Sequence, residues 1–515
     1  SGAPLWVSRY DGFSGNDKPS SVCTDFSGNI YVTGYSTGIG SGADIATVKY
    51  NSSGSQQWAA RYNGPANGDD YSVKIYADNS GNVYVSGYGA GTGTGNDYVT
   101  LKYNSAGVQQ WVTRFNGSGN ADDIANSMTA DASGNIFVTG KSLGAGSLED
   151  ILTVKYNSAG AQQWTAAFNG SANNYDEGVS VTSDISGNII VCGKSKSASA
   201  LNPQIANSDM ITIKYNSSGT QLWFSLYNGT DNGDDEGVSV VTDNSGNIFT
   251  SGNCRNTGSD LDYTTVKYNS AGTAQWVSKY NGSLNGIDKI NSSFIDNAGS
   301  IYVSGFCSDI ISNFNYCTIK YNQNGSQKWI EKYNYQDNDS DKSSIVNIDV
   351  QGNVYVTGSS KGIDGAVDFL TIKYRQEKVL ELRSLIEGFY NNISDKMIPD
   401  SVKVYLRNSA SPYSIADSSV AVTDSLGQAN FIFNNALNGS LYYIVISHRN
   451  SIETWSSAVQ TFISSSMSYD ITDNISKAYG NNLQLKGSKF CLYSGDVNKD
   501  GIIDASDLSE VDNGT

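Results

Sequence analysis

The residues whose spacing suggests a chemical role most directly lie at positions 496–507, where oxygen-bearing side chains recur at short, fixed intervals. These side chains stand at positions 1, 3, 5, 9 and 12 of a twelve-residue segment, and glycine stands at position 6. Ca²⁺ prefers about seven oxygen ligands, position 7 contributes its backbone carbonyl, and the glycine permits a sharp turn. The sequence therefore predicts a Ca²⁺ site with the ligands Asp496, Asn498, Asp500, Ile502, Asp504 and Asp507.

This segment matches the loop of an EF-hand, and two of its features resemble a dockerin half-repeat. Position 12 is Asp rather than Glu, and no helix signal precedes Gly495. The resemblance implies calcium binding and, less directly, docking to a cohesin-type partner. Dockerins carry two such loops and this chain has one. Either a second loop has been removed, or calcium simply stabilises the C-terminus.

Patterns for nucleophilic or metal-assisted catalysis are otherwise lacking. The sole histidine, His448, lies outside the repeats described below, so neither a histidine-based triad nor a zinc cluster can form among them. Adjacent acids such as Asp69 and Asp70 could serve a glycosidase, but they follow the repeat period and suit turns. We expect no catalytic residues, no further cofactor and no enzymatic activity.

Two charged residues recur once in every repeat. One Asp begins a short apolar run, and one Lys stands near the end of a later run. A ring of seven ion-binding sites is one interpretation. The interpretation we favour is that each Asp caps a turn and each Lys is its ion-pair or snorkelling partner. The aspartates are Asp17, Asp70, Asp123, Asp176, Asp235, Asp288 and Asp341, and the lysines are Lys49, Lys102, Lys155, Lys214, Lys267, Lys320 and Lys373.

A turn of the form Asp-x-x-Gly-Asn organises the first three quarters of the chain. It occurs seven times, once with Ser at the last position, at residues 25–29, 78–82, 131–135, 184–188, 243–247, 296–300 and 349–353. Each copy lies among four strand-like runs with period-2 alternation, joined by Gly, Asn, Ser and Asp turns. Four strands repeated seven times are typical of a seven-bladed β-propeller in an all-β chain.

The two ends of the repeat array are out of phase. Seven Trp-containing fourth strands occur, and the first of them, around Trp6, precedes the first complete repeat. The last repeat lacks its own fourth strand. Residues 4–10 are therefore predicted to complete the last blade and close the ring.

These repeats resemble the bacterial seven-bladed propeller repeat family, whose pattern is Asp-x-x-Gly-Asn-[Ile/Val]-Tyr-Val-[Thr/Ser]-Gly. Residues 28–34 read Gly-Asn-Ile-Tyr-Val-Thr-Gly and residues 81–87 read Gly-Asn-Val-Tyr-Val-Ser-Gly. The resemblance covers residues 1–375. It implies the fold and leaves the activity open, because propellers carry many functions.

The composition changes after residue 375. Residues 376–384 are predicted to be a charged connector. Residues 385–490 contain regular short strands that predict a β-sandwich, similar to prealbumin-like or immunoglobulin-like stalk modules. Residues 491–515 form the calcium-binding, dockerin-like half-repeat.

The composition limits the possible partners of the protein and suggests its cellular location. The net charge of −17 disfavours nucleic acid, and no apolar stretch is long enough to insert in a membrane. An acidic, Asn/Ser/Gly-rich surface suits a secreted or cell-surface protein. Asn-x-Ser/Thr sequons such as Asn116 are either glycan acceptors or turn residues. Cys307 and Cys317 are expected to face each other across a hairpin, either bridged or as free thiols.

Two functions remain after these exclusions. The first is a non-enzymatic structural or adhesive protein, in which the propeller is an interaction scaffold and the C-terminal part attaches to a protein partner or to its own copies, possibly as filaments. The alternative is an extracellular propeller that binds or cleaves carbohydrate. Either function should lie where the repeats differ, chiefly in the segments Lys194–Asn207, Asn253–Asp260 and Ser308–Phe314.

Overall fold

The computed structural model describes most of the chain and divides it into two compact units. The described residues are 6–12, 15–144, 148–171, 173–196, 207–283, 285–310, 313–334, 340–349, 352–361, 367–374, 376–463 and 465–507. The first unit comprises residues 1–295, 299–346 and 356–370, and the second comprises 296–298, 347–355 and 371–515. Within the described ranges, no helix is long and apolar enough to cross a membrane.

The repeats fold into successive sheets whose strands follow each other in chain order. The first two sheets contain β1 (Asp17–Thr24), β2 (Ile30–Thr37), β3 (Ala43–Tyr50), β4 (Gln56–Tyr62), then β5 (Asp70–Ala77), β6 (Val83–Ala90), β7 (Asn96–Tyr103), β8 (Gln109–Phe115). The next two contain β9 (Asp123–Ala130), β10 (Ile136–Leu143), β11 (Glu149–Tyr156), β12 (Gln162–Phe168), then β13 (Asp176–Ser183), β14 (Ile189–Lys196), β15 (Ser208–Tyr215), β16 (Gln221–Tyr227). The last three contain β17 (Glu236–Thr242), β18 (Ile248–Arg255), β19 (Leu261–Tyr268), β20 (Ala274–Tyr280), then β21 (Lys289–Ile295), β22 (Ile301–Ile310), β23 (Asn313–Tyr321), β24 (Gln327–Tyr333), and finally β25 (Lys342–Ile348), β26 (Val354–Lys361), β27 (Val367–Tyr374). The all-β prediction of repeated four-stranded sheets is confirmed.

The first strands of neighbouring sheets pack against one another. β1, β5, β9, β13 and β17 each contact the first strand of the next sheet in the series. The second and third strands are almost wholly buried between sheets, whereas the fourth strands alternate exposed and half-buried residues. The core is therefore divided among the interfaces between neighbouring sheets, as in a propeller-like fold.

The repeated Asp-x-x-Gly-Asn segment is a turn between first and second strands. In the first sheet, Asp25 Oδ1 accepts bonds from the amides of Ser27 and Asn29, each at 2.9 Å. Its Oδ2 accepts bonds from the Asn29 side chain at 2.8 Å and from the Tyr31 hydroxyl at 2.9 Å. Gly28 adopts φ 75°, a conformation that favours glycine. Each repeated residue of the motif thus has a local structural role.

The glycine at the end of the repeat pattern, Gly87 in the second sheet, is required for a different reason. The first strands β1, β5, β9, β13, β17 and β21 each contain a register shift, which lies between Ser72 and Lys74 in the second sheet. A Cβ on the facing Gly87 would lie 2.0 Å from the backbone oxygen of Tyr71. Only glycine lets the second strand approach the bulged first strand.

The repeated aspartates and lysines connect neighbouring sheets. Six of the seven repeated aspartates, which we term the ring aspartates, accept a bond from the amide of a glycine in the preceding connection, as Asp70 does from Gly64 at 2.6 Å. Their partners are not the repeated lysines. Lys49 instead donates to the backbone oxygen of Ser105 in the next sheet at 3.3 Å and lies over the Tyr31 ring at 5.2 Å. The predicted turn caps are present, but the predicted ion pairing of lysine with this aspartate is corrected.

The repeated tryptophans make the same link between sheets. The Trp58 indole donates to Ser105 O, which also accepts the bond from Lys49, at 3.1 Å. Trp6 has an equivalent bond to Ser52 O at 3.1 Å and packs on Gly54. Residues 6–12 carry no strand, however, and the last sheet has three strands in the part of the chain that is described. Closure of the ring by residues 4–10 stays a prediction, and residues 4 and 5 lie outside the described ranges.

The second unit also consists of strands and has one core. One sheet has the order β33-β28-β37, from β33 (Gln428–Phe433), β28 (Lys378–Arg383) and β37 (Ser466–Asp470). Another has the order β32-β31-β34-β35, with β36 paired to β34, from β31 (Ser401–Asn408), β32 (Ile415–Val422), β34 (Leu441–Ser447), β35 (Thr454–Trp455) and β36 (Gln460–Thr461). The remaining elements are β29 (Tyr390–Asn391), β30 (Lys396–Met397), β38 (Gln484–Lys486), β39 (Lys489–Cys491) and two 3₁₀ turns, Ile475–Lys477 and Tyr479–Asn481. Buried residues from both larger sheets join one cluster.

The predicted connector at 376–384 is corrected by this arrangement. Residues 378–383 form the central strand β28, with Leu380 and Leu382 buried and Glu381 exposed. The charged residues alternate with leucine at period 2, which is a strand pattern rather than a linker pattern. The other predicted domain boundaries stay predictions.

Candidate functional site

The predicted calcium ligands lie together in one compact loop. Asp507 Oδ1 accepts a bond from the amide of Val497 at 2.8 Å, and its Oδ2 accepts one from Asp504 at 2.9 Å. Gly501 has φ 85°, as the sharp turn requires. Asp496 is 1 % exposed, and its Oδ1 has no hydrogen-bond partner. An unpartnered buried carboxylate oxygen is what a bound cation would satisfy, so the residues fit Ca²⁺.

The same carboxylates are turned toward the amides of their own loop. Among the residues described, no group of three or more His, Cys, Asp or Glu side chains is gathered as for a metal ion. Asp500 Oδ1, for example, accepts a bond from the amide of Ile502 at 2.9 Å.

The loop is joined to the rest of the second unit. Lys499 donates to the backbone oxygen of Ser451 at 2.9 Å and also to that of His448. Gly495 donates to Asn450 O at 3.2 Å. These bonds connect the loop with the segment after β34, so loop order and unit stability are coupled.

His448 has a structural role in that segment. Its side chain is buried, its Nδ1 accepts a bond from the amide of Asn450, and its Nε2 lies 3.1 Å from Asp400 Oδ2. Burial lowers the pKa of His448 below its ordinary value, despite the opposing charge of Asp400. The neutral imidazole donates from Nε2 and is closed to solvent.

Symmetry among the sheets is broken at the residue after each ring aspartate. These residues stand where the first strands begin, and each is paired with a residue near the end of the second strand. The set, which we term the rim, consists of Lys18, Tyr71, Ile124, Glu177, Glu236, Lys289 and Lys342, with the partners Tyr35, Tyr88, Lys141, Lys194, Asn253 and Phe306 for the first six. The second strands run from here into the connections of variable length.

The first part of the rim is aromatic. The rings of Tyr35 and Tyr71 meet edge to face with centroids 5.2 Å apart, and those of Tyr71 and Tyr88 lie 5.6 Å apart. The Tyr71 hydroxyl donates to Asp69 Oδ2 at 3.2 Å. Burial and this carboxylate raise the pKa of Tyr71, so the hydroxyl stays protonated at neutral pH. Three tyrosines from two neighbouring sheets thus form one half-exposed surface.

The following part of the rim is charged. Glu177 pairs with Lys194 at 3.0 Å and accepts a bond from the Asn126 side chain at 2.9 Å. Burial alone would raise the pKa of Glu177, but the bond from Lys194 and its charge lower it below the ordinary value. Glu177 is therefore ionised at neutral pH and lies beside an ammonium group. A carboxylate, an ammonium and an amide are available here for hydrogen bonds to a ligand.

The last part of the rim combines a cation with aromatic rings. Lys342 lies 4.9 Å from the centre of the Phe306 ring and 4.5 Å from that of Phe314. The segment Ser308–Phe314, expected to be a variable loop, instead belongs largely to β22 and β23, with residues 311–312 outside the described ranges. The hairpin is longer than its counterparts and brings Phe314 to Lys342.

The sequence predictions located this site only in part. Lys194 belongs to the rim, but residues 197–206 of the segment Lys194–Asn207 lie outside the described ranges. In Asn253–Asp260, Asn253 is a rim residue, while Cys254 is buried and Arg255 pairs with Asp260 at 3.0 Å. The residue after each ring aspartate was missed, although its variation from Lys to Tyr, Ile and Glu was visible in the aligned copies.

The two cysteines expected to face each other are offset. Cys307 is opposite Asn315 and Cys317 is opposite Gly305, so the thiols are diagonal neighbours. Both are buried and free. The structure therefore has thiols rather than a bridge at this position.

Comparison with known sequences identifies the repeats. A family model described as Beta-propeller repeat matches residues 8–40 and 110–146. Two segments of the chain are therefore similar to β-propeller repeats. An uncharacterized WD repeat-containing protein of Acanthamoeba polyphaga mimivirus is 24% identical over 511 aligned residues, covering 74% of this chain. The chain spans about a third of the length of that relative, since 35% of it is covered.

Solved structures with a similar fold include enzymes. An ulvan lyase is 13% identical, with a TM-score of 0.42 and coverage of 71% of this chain and 98% of the lyase. A second ulvan lyase structure, bound to -[GlcA(1-4)Rha3S]-, is 12% identical, with a TM-score of 0.41 and coverage of 68% and 92%. A quinohemoprotein alcohol dehydrogenase from Pseudomonas putida is 10% identical, with a TM-score of 0.38 and coverage of 65% and 61%. These likenesses concern the fold.

The presence of lyases among these structures corrects one prediction. The sequence was interpreted as that of a non-enzymatic protein, because no catalytic pattern stood out. That inference is wrong, since similar folds include polysaccharide lyases.

Proposed function

We propose that this chain is an extracellular, polysaccharide-recognising propeller protein, and that the rim is its binding surface. The observation that carries the proposal is the break in symmetry at the rim. Tyr35, Tyr71 and Tyr88 form one surface in two sheets, and the Glu177–Lys194 pair follows two sheets later. Features shared by all the sheets maintain the fold, so a ligand site belongs among residues that differ.

The chemistry of the rim suits sugars. Aromatic rings cover the C–H faces of a pyranose, while a few placed polar groups bond its hydroxyls and fix its orientation. Tyr71 supplies both a ring and a protonated hydroxyl, Glu177 supplies an acceptor and Lys194 supplies a donor. A carboxylate and a phenol are also groups that general acid–base catalysis uses, so the test includes bond cleavage.

Binding to a panel of polysaccharides tests this proposal. We expect affinity electrophoresis with polygalacturonate, alginate, xylan and dextran to detect at least one ligand. Tyr71→Ala should weaken that binding at least tenfold, which corresponds to about 1.4 kcal/mol. Tyr479→Ala, at an exposed tyrosine of the second unit, should leave it unchanged. Measuring new reducing ends separates binding from cleavage. Equal affinities for the two variants would show that the rim is not the binding surface.

We also propose that the C-terminal loop binds Ca²⁺ and thereby stabilises a sandwich-like second unit. The unpartnered oxygen of buried Asp496 and the bonds of Lys499 to the segment after β34 support this proposal. Attachment to a protein partner or to other copies through this unit is an extension of it.

Removal of calcium tests the loop proposal. In the full chain, a chelator should lower the melting temperature of one transition by several degrees, and excess Ca²⁺ should restore it. Asp496→Asn should abolish the calcium response, whereas Asp473→Asn, an exposed acid outside the loop, should keep it. Sedimentation with and without chelator checks assembly. A wild-type melting temperature that changes with neither chelator nor Ca²⁺ would contradict calcium binding.

We further propose that the seven sheets form a closed ring completed by residues 4–10. Trp6 has the bond to Ser52 O and the packing on Gly54 that fourth-strand tryptophans have with the following sheet. This equivalence supports placing the N-terminal segment where the last sheet lacks its fourth strand. Closure would also remove two free edges.

A further inference from the structure

A groove opens at the boundary between the third and fourth sheets. It has a volume of about 460 Å³ and lies between the end of β12 and the outer strand β16. Its walls include Phe168, Ser195, Lys196, Gln221, Phe224 and Leu226. This volume falls in the range of about 300–1,000 Å³ that is typical of small-molecule sites.

The groove lies at a boundary that lacks a contact repeated elsewhere. At the boundaries between the first and second, fourth and fifth, and fifth and sixth sheets, a cation on the outer strand of one sheet contacts a tyrosine that ends the outer strand of the sheet before. Arg114 donates to the Tyr62 hydroxyl at 3.3 Å, and Lys279 lies 5.9 Å from the centre of the Tyr227 ring. At the third boundary the corresponding residues are Leu226 and Phe168. Neither the cation nor the hydroxyl is present at this boundary. The boundary between the second and third sheets lacks them too, with Ala167 and Phe115, so the groove is distinguished by its aromatic wall.

The groove combines an aromatic wall with polar groups. Phe168 and Phe224 meet edge to face with centroids 5.0 Å apart, and Phe224 is 48% exposed, so part of its ring is accessible to a ligand. Lys196 lies over the Tyr175 ring at 5.6 Å. Gln221, Asn169 and two serines complete the lining.

The charge of the lining is opposite to that of the chain. The chain has a net charge of −17, whereas the groove lining contains one lysine and no aspartate or glutamate. A ligand that satisfies both features has an apolar ring face for Phe224 and a negative group for Lys196.

We propose that this groove is a second saccharide site, which takes a sugar ring bearing a carboxylate or a sulfate. This inference rests on the proposed function, because the sugar belongs to the polysaccharide that is held at the rim. It also specifies the class of that sugar. Two sites on one chain would hold a polymer more tightly than either alone, through the raised effective concentration of the second sugar.

Short oligosaccharides test the groove separately from the rim. Calorimetry on the full chain should give a binding event for oligogalacturonate or for a sulfated carrageenan oligosaccharide that neutral maltotriose lacks. Phe224→Val, which installs the residue found at Val112 in the second sheet, should weaken this event at least tenfold. Lys196→Gln should do the same without disturbing an apolar contact. Leu222→Ala on the same strand does not line the groove and should bind as the wild type does.

The outcomes separate the two proposals. If Tyr71→Ala leaves the acidic oligosaccharide bound while Lys196→Gln removes it, the groove is an independent site, whatever becomes of the rim. Comparison of the two acidic ligands identifies carboxylate or sulfate. Maltotriose binding as tight as that of both acidic ligands would overturn the assignment, and so would Lys196→Gln and Leu222→Ala proteins with equal affinities.

Discussion

At the scale of single residues, the ring aspartates bond backbone amides of the fold, but their carboxyl groups lose contact with water when they are buried. Asp235 is buried, accepts a bond from the Gly229 amide at 2.5 Å and another from the Arg255 amide at 2.7 Å. Burial nevertheless raises its pKa to about 6, and Asp70 and Asp288 behave alike. Each carboxyl therefore takes up a proton more readily in the folded chain than in the unfolded chain.

This shift predicts a pH dependence of stability. Because the folded pKa is raised, the contribution of Asp235 is fully present below its unfolded pKa of about 4 and is lost as the pH rises through about 6. In the Asp235→Asn variant, the decrease in unfolding free energy from pH 4.5 to pH 7 should be smaller than in the wild type by on the order of 1 kcal/mol. Urea unfolding at the two pH values measures it. Exposed Asp231→Asn is the control, and identical pH slopes for the wild type and Asp235→Asn would refute the prediction.

The residue scale also shows which functional positions the sequence could reveal. Aspartates in the repeated turns were predicted as structural because every copy has them, and Asp25 has that role. Glu177 and Lys194 were missed as a pair, because they lie 17 positions apart and meet only through the register of β13 and β14. Differences between copies become informative once the register places them side by side.

At the scale of elements, the sheet depends on a close approach between first and second strands. The glycine of each second strand faces the bulge of its first strand, so a side chain there would meet backbone atoms that cannot move independently. The rim tyrosines at 71 and 88 are paired in this same region, and the close approach therefore positions the proposed site as well.

Substitution of that glycine tests the packing argument. Gly87→Ala should destabilise the chain by about 3 kcal/mol, because its Cβ would lie 2.0 Å from the backbone oxygen of Tyr71. Gly40→Ala meets no atom within 4 Å and has φ 79°, so only the backbone cost of about 1 kcal/mol is expected. Chemical denaturation compares the two. A smaller loss for Gly87→Ala than for Gly40→Ala would contradict the argument.

Element boundaries were predictable wherever period-2 alternation and turn residues agreed. The repeated strands and β31 meet that condition. The strand β28 was interpreted as a connector, because the charged residues Glu381 and Arg383 lie on its outer face and hid the alternation of Leu380 and Leu382. The offset of Cys307 and Cys317 could not be predicted, since the hairpin register depends on its tip.

At the scale of the whole molecule, stability of the repeats depends on links from each sheet to the next. Lysine and tryptophan from one sheet donate to the same backbone oxygen of the following sheet, and Trp6 repeats the tryptophan part of that link from the N-terminal segment. The stability of such an array is approximately the sum of the stabilities of its repeats and of the interfaces between neighbouring repeats.

The N-terminal segment therefore has a predicted effect on cooperativity. Trp6→Ala should lower the melting temperature and broaden the transition, because one link between sheets is lost. Val7→Ala, at a residue that is 83% exposed, should melt as the wild type does. Calorimetry and size-exclusion chromatography check both variants. A sharp, unshifted transition for Trp6→Ala would show that the segment does not close the array.

Hydrogen–deuterium exchange with and without the best-bound polysaccharide of the panel tests the central claim most directly. The account predicts slower exchange in peptides that cover residues 70–74, 86–90, 176–180 and 192–196, which carry the tyrosine surface and the Glu177–Lys194 pair. Peptides from the outer strand β20 serve as the internal reference and should not change. Protection confined to residues 376–507, or none at saturating ligand, would contradict a binding site at the rim.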